Sequence, residues 1–336
     1  MKSLMLMIGV ALAVAGAVAE TQTTKGVAYA ERPECLLDLR VPKGETNAEL
    51  CVGTYNIRFA SGDRGGANDW KLRRDDVVAL LRRLDMDVFG MQEVEPDQME
   101  FLRGVLAEYE IVGDHRNADR ATGEASPVVY RKNRFSPVSG GTFWLSETPD
   151  EPGSRGWGAF NPRICTWVRL KDKLSDVEFC FMNAHPDSKN EHARNKGMEL
   201  ILMKMRDVSP KGLPIIFVGD HNCRETSDAA LTVAMHLKNA MLASETTPIG
   251  PWRTFNGWRW RGEEILSKDA LKTPVKIRNG DGEFYERCCG SRIDYIYVSK
   301  EVKVKYYATI AITRNSSMLY PSDHFPVMAT LRFPCK

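Results

Sequence analysis

The sequence predicts an α/β sandwich in which two packed β-sheets carry helices on their outer faces. Three observations lead there. The chain has 336 residues, 43% of them hydrophobic, enough for a sizeable core in one large domain or two small ones. Apolar strands alternate with segments of helical period, joined in some places by hairpins and in others by helical crossovers. Helices occur in both halves of the chain, so both sheets can be covered.

The first residues stand outside this pattern. "MKSLMLMIGVALAVAGAVAE" has one lysine, an apolar run and Ala-Val-Ala before Glu20. That is a secretory signal with cleavage expected after Ala19. An uncleaved anchor is the alternative, but the run is short for a membrane span. A secreted or periplasmic chain is expected, with no stable membrane span. Residues 20–44 are loosely patterned, and one domain is expected over 45–335.

The elements follow in order. "ELCVGTYNIRF" reads as a buried strand ending at Asn56. In "NDWKLRRDDVVALLRRLDMD", Val77, Leu80, Leu81 and Leu84 share one face of a helix. "VFGMQEV" is a strand ending at Glu93, "PDQMEFLRGVLAEY" a helix, and "ASPVVYRKNRF" a strand. A loop rich in Pro, Gly and Trp, "FWLSETPDEPGSRGWG", comes next. "RICTWVRL" and "VEFCFMNAH" form a hairpin about "KDKLSD". "HARNKGMELILMKMRDV" is a helix and "LPIIFVGDHN" a strand; Ser227 is placed to cap the helix "DAALTVAMHL". "SRIDYIYVSK", "VKYYATIAI" and "HFPVMATLRF" are three terminal strands.

Composition excludes some classes. A net charge of +2, with charges mixed along the chain, gives no electrostatic footprint of a dedicated nucleic-acid binder. The eight cysteines do not have zinc-site spacing. After export they belong to an oxidising compartment. A hairpin centred on "KDKLSD" sets Cys165 opposite Cys180, so a cross-strand bridge is one expectation and two buried thiols the other. Cys288 and Cys289 are adjacent and do not easily bridge each other.

Polar residues recur at the ends of apolar strands. They are Asn56, Glu93, His185, Asp220, Asn222 and Asp294, with Asp323 and His324 before the last strand. On a strand, residues two apart share a face, so Asp220 and Asn222 look the same way and His221 the other. Asp220 is then either a turn cap or a buried carboxylate that needs a cation, a metal or a proton. Strand ends in stacked sheets can converge on one cleft. Carboxylate, amide and water oxygens suit a hard divalent ion such as Mg²⁺, with Mn²⁺ as substitute. Two histidines suit proton transfer or phosphate binding. Neither a Ser-His-Asp acyl-transfer motif nor a G-x-x-x-x-G-K-[ST] loop is apparent, so water is the expected nucleophile.

"TYNIRF", "GMQEV", "NAHPDS", "VGDHN", "SRIDYIYV" and "PSDHFPV" occur in the order seen in the endonuclease/exonuclease/phosphatase superfamily, which the chain resembles over nearly all of its mature length. "GTFWLSETPDEPGSRGWG" resembles a secreted, bacterial-type branch of it. The resemblance implies a four-layer α/β sandwich of two mixed sheets. It also implies an Mg²⁺-dependent hydrolase acting on phosphate esters, as phosphodiesterase or phosphatase; a monomer is expected. The metal would lie at Glu93 with Asn56 and Asp323. Asp220 would activate water and Asn222 position it. His185 and His324 would grip the phosphoryl oxygens, backed by Glu124 and Asp294 respectively. The substrate would be a small molecule, a lipid headgroup or a nucleic acid. A secreted endonuclease is the alternative, and a catalytically inactive phosphate-ligand binding module the alternative of another class.

Departures from the usual motifs carry expectations of their own. His221 stands where a phenylalanine is common and is read as a packed core residue. Arg58 is read as a salt bridge or a phosphate contact. Arg163 is open between substrate contact and structural pair. The Trp252, Trp258, Trp260 and Arg253, Arg259, Arg261 series is either a stacking wall for substrate or a hairpin packed on the body.

Overall fold

The computed structural model describes residues 49–258, 274–278, 284–288, 292–312, 314 and 319–334. The expected signal sequence, residues 20–48, Cys289, Trp260, Arg259 and Arg261 lie outside the described residues.

The strands are β1 (Glu49–Asn56), β2 (Val88–Gln92), β3 (Tyr109–Val112), β4 (Val128–Arg131), β5 (Phe135–Trp144), β6 (Ile164–Asp172) and β7 (Glu178–Ala184). They continue with β8 (Ile215–Asp220), β9 (Lys238–Asn239), β10 (Pro274–Arg278), β11 (Phe284–Cys288), β12 (Asp294–Val298), β13 (Lys303–Thr309) and β14 (Val327–Arg332). The helices are α1 (Trp70–Leu84), α2 (Pro96–Val105), α3 (Glu191–Val208) and α4 (Asp228–His236). One mixed sheet runs β13-β14-β1-β2-β4-β3 and a second β5-β6-β7-β8-β12-β9. β10 and β11 pair apart from both.

Three apolar layers explain the stacking. Along β1, Leu50 and Val52 join Val88, Val218, Ile296 and Val327 between the sheets. The alternate residues Cys51 and Tyr55 join Val77, Leu81, Met99 and Leu102 of α1 and α2. Met182 and Phe217 of the second sheet meet Met198, Ile201 and Val233 of α3 and α4. The order is helix, sheet, sheet, helix, the four-layer sandwich expected.

Local chemistry starts each helix. Asp69 accepts from the Lys71 amide to begin α1. Pro at the first turn and a Glu95/Gln98 capping box begin α2. Asn190 and Ser227 cap α3 and α4, Ser227 as expected.

Three expectations need correction. α2 ends at Val105, and Tyr109–Val112 form the edge strand β3; four residues give too short an alternation to be seen beside a helix. β5 extends from Phe135 to Trp144, through what reads as the start of a loop, because its Val138, Gly140 and Gly141 lie on an exposed edge. The hairpin register sets Lys171 opposite Glu178, Arg169 opposite Cys180 and Cys165 opposite Ala184. The turn is therefore centred between Leu174 and Ser175, two residues later than a pairing of Cys165 with Cys180 requires. Cys165 and Cys180 are free and buried, not bridged. No helix among the described residues is long and apolar enough to cross a membrane.

Candidate active site

The strands that build the core between the sheets also aim their last polar residues. Val52, Val88, Phe181, Val218 and Ile296 face the inter-sheet layer. Asn56, Gln92, His185, Asp220 and Asp294 are an even number of residues from them on the same strands or their extensions and so share that face. Strand alternation stops at Gln92 and Asp220, and just beyond them Glu93 and Asn222 take left-handed backbone at φ 62° and 51°. Such turns cost on the order of 1–3 kcal/mol and persist where surrounding structure holds them. Here they end β2 and follow β8.

Asp220 is 1% exposed. It accepts from Asn56 Nδ2 at 3.0 Å and from the Asn222 amide at 2.9 Å. His185 Nε2 lies 3.4 Å and His324 Nε2 3.6 Å from the same carboxylate. Burial pushes its pKa up to about 7; His324 opposes the rise and Asp294 adds to it. A carboxylate so poised can take a proton near neutrality. Asn222 also donates to the Pro186 carbonyl at 3.1 Å, tying the end of β8 to that of β7.

The two histidines differ. His324 Nδ1 is 2.9 Å from Asp294 Oδ2. Burial works against its charge, but Asp294 and Asp220 prevail and its pKa rises to about 10. Its ring is held as an imidazolium with Nε2 toward Asp220. His185 is held neutral: burial, then Arg163, His324 and Arg116, push its pKa well below the ordinary value. Glu124 is 3.9 Å from His185 Nδ1 and pairs instead with Arg116 at 2.8 Å. The acid behind His185 is therefore shared with an arginine and does not hold that ring charged.

Glu93 accepts from Asn56 Nδ2 at 3.1 Å and from the Phe59 amide at 3.0 Å. Its pKa is raised by burial, then by Asp323 and Glu124. Asp323 has Arg58 at 3.6 Å, and Arg58 is bound to Asp63 at 2.9 Å. Crowded, partly buried carboxylates of this kind are the donor set a hard divalent cation relieves, so the residues fit Mg²⁺ or Mn²⁺. One donor atom each from Glu93, His185 and Asp220 lies within 4.8 Å of the others. Asn56 points its nitrogen at Glu93 and Asp220, while its oxygen accepts from the Arg58 amide at 2.9 Å. In that orientation it bridges two acids; its oxygen would reach a metal only after a flip.

Four supporting residues escape the sequence reading. Gln92 Nε2 donates to Thr54 at 2.9 Å and to Asn183 Oδ1 at 2.6 Å, and Asn183 Nδ2 donates to the Met91 and Pro127 carbonyls. This buried network ties the sheets together just beneath the acids. Gly90 makes room for it, since a Cβ there would meet Asn183 at 2.4 Å. Ser322 Oγ donates to the Asn56 carbonyl at 2.7 Å. Thr254 Oγ1 accepts the Ile293 and Asp294 amides at 3.0 and 3.1 Å, fixing the start of β12. Amides at inward strand positions are the signal for the first two; Ser322 and Thr254 sit outside the strands and carry none.

The remaining expectations are placed as follows. His221 is fully buried, stacked on Phe217 at 4.7 Å and Tyr297 at 5.7 Å. Arg163 is buried 3.7 Å from Asp187. Trp252 lies against Arg292, and Trp258 against Arg73, at 5.0 and 5.6 Å, so both tryptophans pack on the body.

Comparison with known proteins agrees with this geometry. The family model described as "Endonuclease/Exonuclease/phosphatase family" matches residues 53–324. An endonuclease/exonuclease/phosphatase family protein of Bacteroides thetaiotaomicron superposes with TM-score 0.71 at 32% identity, covering 85% of this chain and 98% of that one. A mannosyl-6-phosphatase of the same organism superposes with TM-score 0.71 at 32% identity, covering 84% and 100%. Mouse tyrosyl-DNA phosphodiesterase 2 is 26% identical over 155 residues, 46% of this chain but 37% of that protein. The chain belongs to the endonuclease/exonuclease/phosphatase family.

Proposed function

We propose that this chain is an exported, divalent-metal-dependent hydrolase of phosphate esters that activates water with Asp220 and takes a sugar phosphate monoester as substrate. The observation that carries it is Asp220 itself. A buried carboxylate raised to about 7 lies between one neutral and one charged imidazole, at 3.4 and 3.6 Å. A structural cap has no need of that arrangement.

Each residue has a task. Glu93 and Asp323 would hold the metal, and Asn56, which bridges Glu93 and Asp220, would join them only with its amide flipped. A divalent ion bound there supplies polarisation of the phosphoryl group and stabilisation of the leaving oxygen. Asp220 takes the proton of the attacking water, and Asn222 fixes the carboxylate and the water's approach. His324, kept charged by Asp294, binds the phosphoryl oxygens as negative charge builds on them and can pass a proton to the leaving oxygen. His185, held neutral, donates one hydrogen bond to those oxygens. Glu124 keeps Arg116 beside it.

The likeness to a mannosyl-6-phosphatase along that protein's whole length supports the sugar phosphate reading. A phosphodiesterase or nuclease is the second reading, favoured by the partial match to a tyrosyl-DNA phosphodiesterase. An inactive binding module is disfavoured, because Glu93, His185, Asp220 and His324 are all present and converge. The test is a panel of sugar phosphates, phosphodiesters and DNA with Mg²⁺, Mn²⁺ or EDTA. Phosphate release from sugar phosphates is expected, lost in EDTA and restored by either ion. Full activity in EDTA would remove the mechanism.

A further inference from the structure

Beside the cluster a cavity of about 430 Å³ opens between the start of α3, the loop after β8 and the segment before β12. Its lining includes Glu191, Arg194, Asn222, Arg224, Thr226 and Phe255. Two of these already belong to the site. Asn222 fixes Asp220, and the Phe255 ring meets His324 edge-on, centroids 5.0 Å apart. A monoester with its phosphorus at Asp220 and His324 has room for its alcohol half here.

The lining is chemically mixed. Arg194 donates from Nη1 to the Asp187 carbonyl at 2.7 Å, while its Nε is buried without a hydrogen-bond partner. Neither Arg194 nor Arg224 has a carboxylate partner among the described residues. Glu191, in the first turn of α3, sets an acceptor against these donors. Sugar hydroxyls both donate and accept, so they match a wall holding guanidinium, amide, hydroxyl and carboxylate together. An aromatic ring offers a face to the C–H side of a sugar ring. A second anionic group on the substrate would meet Glu191 as a like charge. The volume lies at the lower end of the ~300–1,000 Å³ usual for small-molecule sites, which suits one ring rather than a polymer.

We infer that this cavity is the subsite for the alcohol half of the substrate and selects a single hydroxyl-rich ring, with Arg194, Arg224 and Glu191 determining specificity. The inference rests on the phosphate-ester reading above and adds the residues that choose the substrate.

The experiment compares kcat/KM for mannose 6-phosphate, fructose 1,6-bisphosphate, thymidine 5′-monophosphate and phenyl phosphate. It uses the unsubstituted protein, Arg224→Ala and Arg194→Met. The ratio for mannose 6-phosphate over phenyl phosphate should fall at least tenfold in each variant, mainly through KM. Arg224→Ala carries the test if Arg194→Met fails to fold, since Arg224 is exposed. An unchanged ratio in Arg224→Ala would overturn the inference. So would a preference for the bisphosphate that the substitutions abolish, which would mark a second-anion site. Calorimetry with Mg²⁺ decides the matter even without turnover. Mannose 6-phosphate should bind at least tenfold more tightly than inorganic phosphate, and the margin should vanish in Arg224→Ala. Equal binding of the two by the unsubstituted protein would refute the subsite, whereas tight binding without hydrolysis of any ester would refute only the hydrolase.

Discussion

Asp220, His221 and Asn222 are consecutive and play three different parts. Alternation turns Asp220 into the cleft and His221 into the aromatic layer of Phe217, Tyr295 and Tyr297; Asn222, at positive φ, turns back toward the cleft. Burial pushes the His221 pKa down to about 3, and its ring nitrogens have no hydrogen bond of good geometry. The folded-state pKa is thus below the ordinary value of about 6.5. The stability tied to the neutral ring is complete above that value and is lost as pH falls from there toward 3. His221→Phe keeps the stacking and removes the proton uptake. Its Tm advantage over the unsubstituted protein should therefore be larger at pH 5 than at pH 8; a difference independent of pH would contradict the neutral, buried assignment. At His324 the expectation is kinetic. Asp294→Asn removes the charge that orients the ring and should lower kcat ~10²-fold or more, the scale of general acid–base catalysis, with a smaller change in KM. His324→Ala should do likewise, and combining it with Asp220→Asn should cost less than the two single effects together, since the residues act as a unit. Full additivity would argue that the two act separately.

At the scale of elements, the site depends on how closely β7 and β8 approach. They pair in parallel, with Asn183 opposite Val218, and their ends carry His185 and Asp220. Gly219 has φ 148°, and a Cβ there would lie 2.0 Å from the Ala184 carbonyl oxygen. Gly219→Ala combines backbone strain of ~1–3 kcal/mol with a clash of similar size. A loss on the order of 3 kcal/mol or more is expected in denaturant unfolding, with lower turnover per folded molecule as the strand ends part. A loss under ~0.5 kcal/mol would mean the strands separate freely there. Much of this level could be read beforehand. The strands bearing site residues are strongly apolar or alternating, and the Ser227 cap announced α4. What escaped was short or exposed: β3 has four residues, and the glycines of β5 face solvent. The Cys165/Cys180 register escaped because it depends on where a turn closes, a tertiary outcome that alternation does not specify.

For the whole molecule, convergence is a matter of topology. β1 and β2 from one sheet and β7, β8 and β12 from the other bring their polar ends to one rim of the sandwich. The sequence displayed the acids and histidines but not their electrostatic sorting. Glu124 is shared with Arg116, Asn56 bridges two carboxylates, and His185 is neutral where His324 is charged, because these outcomes depend on burial and on partners distant in the chain. Gln92 and Asn183 were hidden among apolar neighbours, although they join the two sheets. The most direct measurement is kcat, KM and Tm for Asp220→Asn beside the unsubstituted protein, with Tm taken in EDTA at pH 8. A carboxyl whose folded-state pKa of about 7 exceeds its ordinary value destabilises the fold increasingly as pH rises through that range. The neutral amide should therefore leave Tm equal or higher, while kcat falls ~10²–10⁴-fold, the usual worth of a general base, and KM changes little. A stable Asp220→Asn protein with undiminished kcat, or an unstable one with normal kcat per folded molecule, would contradict the assignment of Asp220 as the base.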